Sequence, residues 1–182
     1  MRGATLFPMG NNEDMRLRFE ELARPVLAGG RVREMGGFVQ HGSTTTLEHV
    51  CAVAWTALGL VRRLGLRVDE AALVRGALLH DYYLYDWHDH RAAPDRWHGF
   101  THPGHAMRNA EADFGIGELE RHIIKRHMFP FTPVPPTRRE AWAVCLADKW
   151  CSTREIFSKQ PYAWHRAHIS CWPYGEDGAP CG

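Results

Sequence analysis

Apolar positions recur along this chain at helical spacing, with turn-forming residues between the runs. Glu13 to about Ala28 reads as an amphipathic helix in which Leu17, Phe19, Leu22 and Val26 are interleaved with charge, and Gly29-Gly30 ends it. Gly36-Gly37 and Gly42 mark a loop that carries His41. Thr45 to Leu64 is a long helix with a capping box from Thr45 and Glu48. Leu47, Val50, Cys51, Ala54, Leu58 and Val61 form its apolar face, and Gly65 stops it. His49 lies at the edge of that face, beside Val53 and Leu60, where it can serve solvent or a site. Asp69 caps the next helix, which runs into Ala77-Leu78-Leu79-His80-Asp81. Asp81 falls four residues after Ala77 and seven after Val74, while His80 falls three after Ala77 and seven after Leu73. Both therefore share the face that seats the helix.

Residues 82–100 have no period and are rich in aromatics (Tyr82, Tyr83, Tyr85, Trp87, Trp97, Phe100) and in histidine (88, 90, 98). This stretch leaves directly from His80-Asp81, so it either covers what lies there or packs as an ordinary surface loop. His102-Pro103 is expected to open the next helix, with Pro at its first position and Ala106, Met107, Ala110 and Phe114 as its buried stripe. From Glu118 to His127 another helix turns Ile123 and Ile124 inward. His127 shares their face and His122 lies opposite. The prolines of 129–136 exclude a helix. Thr137 and Glu140 form a second capping box, and the helix that follows, to about Phe157, is apolar all round over Ala141–Ala147 before it reaches Asp148. Such a helix is expected to be central. No segment reads as a strand, so the fold class is all-α: an arm over 1–12, one compact helical domain over 13–158, and a tail over 159–182 to which the pattern assigns no structure.

Composition narrows the function. At 182 residues the chain can bury one substantial core, and a formal net charge of +1 gives no footprint for general nucleic-acid or membrane-surface binding. Five cysteines without CxxC spacing do not make a disulfide framework, and no signal peptide or membrane span is evident. A cytoplasmic location is the consistent expectation. Twelve histidines are an excess, and histidine is the commonest metal ligand. A carboxylate aimed into a core is costly unless a charge meets it, and Asp81 and Asp148 both sit in apolar runs. A cation between helices would meet both and accept imidazoles as well.

The order His49, His80-Asp81, His102, His127, Asp148 resembles the HD-domain superfamily of metal-dependent phosphohydrolases over about residues 40–158. The two intervening histidines are similar to the pattern of its dinuclear members, among them HD-GYP phosphodiesterases and HD-type dinucleotide polyphosphate hydrolases. The context Gly-Ala-Leu-Leu-His-Asp-Tyr-Tyr-Leu-Tyr-Asp-Trp-His also resembles a bacterial group of HD-domain proteins. The resemblance implies that His49, His80, Asp81 and Asp148 hold one metal, and that Asp81 bridges to a second held by His102 and His127. His105 takes the place of His102 if His102 is only a cap. It implies hydrolysis of a small phosphate ester, nucleotide-like, by a metal-bridging hydroxide, with mono- and diesterase activity both open. No GYP motif supports cyclic-dinucleotide cleavage. The ligand types suit Fe, Mn, Zn, Ni or Mg. Lys149 and Arg126 are candidate phosphate neighbours or else solvated charges, and Tyr85 and Trp87 are candidates to stack a base. A mixed-valent di-iron oxygenase on the same scaffold and a non-catalytic regulatory domain are the alternative readings.

Overall fold

A computed structural model describes residues 12–89 and 97–173. Residues 1–11 of the expected arm, His90 of the aromatic stretch and the end of the tail with Cys181 lie outside the described residues. Helices α1 (Asn12–Leu27), α2 (Thr46–Arg63), α3 (Glu70–Leu79), α4 (His98–Phe114), α5 (Glu118–Arg126), α6 (Arg139–Phe157) and α7 (Ala163–His168) make an all-α domain. A 3-10 turn (Val32–Gly37) and a small antiparallel hairpin, β1 (Val39–His41) with β2 (Thr44–Thr45), precede α2. The expectation of no strand is corrected by this hairpin, whose turn needs Gly42 at φ 58.

The centre of the fold is α2, not α6. Almost every residue from Thr46 to Leu58 is buried, and α2 packs against both α3 and α6. Its ends follow from the sequence. The Thr45 side chain accepts from the Glu48 amide, and at the other end Leu66 N donates to Val61 O and Gly65 N to Arg62 O, a Schellman closure with Gly65 at φ 61. Only half of the expected capping box forms, because the Glu48 carboxylate turns inward to Arg166 and the Trp172 indole. In α6 the expected all-round burial is corrected as well. Ala141, Val144, Asp148, Cys151 and Glu155 face inward, whereas Trp142, Leu146 and Trp150 keep 38, 55 and 42% of their surface. Small side chains let α6 approach α2 closely, and its bulky ones stay outside. Leu17 of α1 is likewise exposed, the buried stripe being Met15, Phe19, Ala23 and Val26.

Two helix starts differ from expectation. Helix α4 begins at His98, so Pro103 lies inside it and costs the bond its missing N–H would give the Gly99 carbonyl. The Thr137–Glu140 box is absent. Thr137 lies one residue before the N-cap, its amide donates to His122 Nε2, and Glu140 instead accepts from Asp69 N. Gly76 sets the approach of α3 to α5: a Cβ there would meet Ile123 Cδ1 at 2.8 Å. Among the described residues no helix is long and apolar enough to cross a membrane.

The tail has structure that the pattern did not reveal. Tyr162, His165, Ile169 and Trp172 are buried, and Arg166 grips Glu48 with two bonds of 2.8 Å. His165 packs among Trp55, Tyr162, Trp164 and Trp172, and burial, with help from Arg154 and Arg166, pushes its pKa down to about 3. The unfolded chain takes up that proton near 6.5 and the folded chain resists it to about 3. Stability is therefore lost as pH falls through this interval. His165→Phe is expected to show a smaller fall in Tm between about pH 6.5 and pH 4 than wild type, measured by thermal melts across pH.

Candidate metal centre

Four helix ends, of α2, α3, α4 and α5, and the interior of α6 converge on a buried point. His80 is the C-cap of α3, and its Nδ1 donates to the carbonyl of Ala77 at 2.7 Å. His127 is the C-cap of α5 and repeats the arrangement, Nδ1 to Ile124 O at 2.7 Å. In the first turns of α4, His102 Nδ1 donates to His98 O at 2.8 Å. Carbonyls only accept, so in all three rings Nδ1 carries a hydrogen, and in the neutral ring Nε2 carries the lone pair. His49, fully buried in α2, turns Nδ1 to the Glu155 carboxylate at 3.0 Å and Nε2 to the same centre.

Asp81 lies in the turn after His80, 3% exposed, with its two oxygens facing different partners. Oδ2 is 3.9 Å from His49 Nε2 and 3.6 Å from His80 Nε2; Oδ1 is 3.2 Å from His102 Nε2 and 3.6 Å from His127 Nε2. Asp148 Oδ1, from α6, is 3.3 Å from His49 Nε2 and 4.0 Å from His80 Nε2. Burial alone would raise the Asp81 carboxyl, but the surrounding imidazoles, His80 foremost, hold it well below the usual carboxylate range. Asp148 is likewise held far down, against burial, by His49 and the Lys149 ammonium. Burial would lower His49, yet Glu155 and Asp148 raise it well above its ordinary value, whereas burial beside His80 pushes His127 down to about 3.

This donor set fits a cation. His49 Nε2, His80 Nε2 and Asp81 Oδ1 are buried with no hydrogen-bond partner among the described residues. His102 Nε2 and His127 Nε2 face one another at 3.0 Å, a separation that a shared proton or a cation satisfies and two bare lone pairs do not. Three groups have ligand atoms close enough to share an ion: His49, His80 and Asp81; Asp81, His102 and His127; and His80, His127 and Asp148.

A comparison with known protein families matches residues 46–151 to the HD domain. The chain belongs to the HD-domain family. HD domains form a superfamily of metal-dependent hydrolases that bind divalent metals, which agrees with the clustered histidines and aspartates. No curated protein and no solved structure matches the chain.

In this HD domain the centre is the floor of a cavity of about 790 Å³, where Asp81, His102, His127 and Asp148 meet walls that include Trp87, Met128, Phe131 and Ile156. Lys149 lines it and donates to Asp148 Oδ2 at 2.7 Å and to His127 O at 2.8 Å. Trp87 also lines it, its ring against His98 and His88 and its buried Nε1 without a partner among the described residues. Other expected groups lie elsewhere. Tyr85 is not in the lining and hydrogen-bonds His98. His105 is one turn beyond His102 and takes a bond from Arg108, so His102 is the histidine brought to the centre. Arg126 is also outside the lining.

The sequence pattern passed over two groups. Gln40, on β1, donates from Nε2 to Asp81 Oδ2 at 2.8 Å, while its Oε1 accepts from Tyr83 and Thr46. Nothing in the glycine-rich stretch around it signals this. Glu155, seven residues after Asp148 on the same face of α6, could have been found by spacing.

An ion that binds only the folded state stabilises it by about 2.7 kcal/mol at a hundred times its Kd. Mn(II) or Zn(II) is expected to raise Tm, EDTA to reverse it, and Asp81→Asn to abolish the response. A wild-type Tm indifferent to both additions would sink the cation reading.

Proposed function

We propose that this HD domain is a dinuclear metal-dependent hydrolase of a small phosphate ester with a nucleoside-like body. The observation that carries the reading is the division of Asp81: one oxygen toward His49 and His80, the other toward His102 and His127. On this reading His49, His80, Asp81 and Asp148 hold one ion, and Asp81, His102 and His127 the other. Divalent ions bound there would supply Lewis acidity, which neutralises phosphoryl charge and lowers the pKa of a water so that it can react as hydroxide.

The protein's own residues supply positioning, which is most of what phosphoryl transfer requires. Gln40 fixes the rotation of the Asp81 carboxylate, so that each oxygen keeps its own pair of imidazoles. Lys149 holds Asp148 ionised and presents its ammonium at the cavity wall, where an entering phosphate is drawn to it. The Trp87 ring, Phe131 and Ile156 line the cavity and offer the substrate body aromatic and apolar surface. Arg126 lies outside the lining, and this reading gives it no role. The metal is one of Fe, Mn, Zn, Ni or Mg.

Protein purified without chelator is expected to contain about two metals per chain and to release phosphate from nucleoside monophosphates and aryl phosphates. His127→Ala is expected to hold about one metal and to lose most of kcat, because half of the clamp on the developing charge is gone. Metal analysis with a phosphate-release assay reads both. Turnover that consumes oxygen and needs iron, with no hydrolysis by any divalent metal, would overturn the hydrolytic assignment.

A further inference from the structure

The four histidines are not alike behind the site. His80, His102 and His127 rest their Nδ1 on neutral backbone carbonyls. His49 Nδ1 instead lies 3.0 Å from both oxygens of Glu155, a side chain with no exposed surface. Glu155 Oε1 also accepts from the hydroxyl of Tyr162, which follows α6 and is itself buried. The far side of His49 is thus a fixed carboxylate, held by a donor from the C-terminal segment, two turns along α6 from Asp148.

We propose that Glu155, oriented by Tyr162, is a positioning residue that makes His49 the strongest ligand of the centre and so makes the His49 side fill first. The inference rests on the dinuclear reading of this site. A carboxylate accepts the Nδ1 hydrogen more strongly than an amide carbonyl does, and this increases the electron density that Nε2 offers a cation. It also locks the ring. Two oxygens equidistant from Nδ1 resist swivelling, and the Tyr162 hydroxyl keeps the carboxylate from turning away. The side of the centre held by His102 and His127 has only carbonyl support and binds more weakly. Filling is therefore sequential, the tight equivalent at His49, His80, Asp81 and Asp148, the loose one at Asp81, His102 and His127.

The family match ends at residue 151, so both groups lie beyond the matched segment. The segment that carries Tyr162 is latched to the core by Arg166 and Trp172 on Glu48. Its docking is thereby coupled to the metal centre through Tyr162, Glu155 and His49.

The test is a titration of metal-free protein with Zn(II) against a competing chromophoric chelator, with Mn(II) electron paramagnetic resonance as a second count. Wild type is expected to show one tight and one loose equivalent. Glu155→Gln keeps the shape and an acceptor oxygen but removes the charge, and is expected to weaken the tight equivalent roughly 10–100-fold while leaving the loose one unchanged. Tyr162→Phe, which keeps the charge, is expected to shift the same equivalent in the same direction by less, and it stands as the test if Glu155→Gln does not fold. Equal weakening of both equivalents, or no change in either, overturns the proposal. If wild type binds one equivalent only, the dinuclear reading fails. A loss of that equivalent's affinity in Glu155→Gln then still upholds the positioning role, and no loss removes it.

Discussion

The structure depends on one electrostatic constraint: imidazole lone pairs and carboxylate oxygens are brought together where water is largely excluded. His49, His80 and His127 have almost no exposed surface, and Asp81 and Asp148 little more. Such a group of acceptors is held apart by its own repulsion unless positive charge lies among them. The fold imposes the crowding from behind. His80 and His127 each cap a helix by giving Nδ1–H to the carbonyl three residues back, which occupies an orphan acceptor of the last turn and fixes the ring with Nε2 forward. The negative ends of both helix dipoles then point at the centre, which favours a cation further.

Packing sets how closely the donors meet. The α3–α5 contact is tight because Gly76 has no side chain to hold Ile123 away, and those two helices end in His80 and His127, whose rings lie 4.7 Å apart. Helix α2 brings His49 from the core, and α6 brings Asp148 on a face of alanine, valine and cysteine. The hairpin adds Gln40, whose amide is engaged by Asp81, Tyr83 and Thr46. An amide from the hairpin and five helices thus share one polar cluster, and each polar contact fixes an angle that apolar packing alone would leave free.

Much of this centre was legible because helical period converts spacing into direction. His127 shares the face of Ile123 and Ile124, and His80-Asp81 that of Val74 and Ala77, so their inward aim follows from the chain alone. His49, at the edge of its arc, and the choice between His102 and His105 needed the packing of neighbouring helices. The errors also have physical causes. The tryptophans of α6 look like core but stand on the face away from α2, because a close approach selects small residues. Pro103 looks like a helix start, yet α4 tolerates it a turn and a half in. Gln40 and the tail act through contacts distant in sequence, which no local period encodes.

Asp148 and Glu155 stand on a single rigid rod, and the distance between them is a count of residues. Seven residues bring a helix back to nearly the same azimuth, so one carboxylate can face the centre while the other stands behind His49. Inserting or deleting one residue between them would turn one relative to the other by about 100°, more than side-chain rotation can recover. Substitutions along 149–154 leave that phase intact, whereas a change of length destroys it. The tolerance of this stretch to mutation is therefore a matter of register: permissive in composition on its outer face and unforgiving in number.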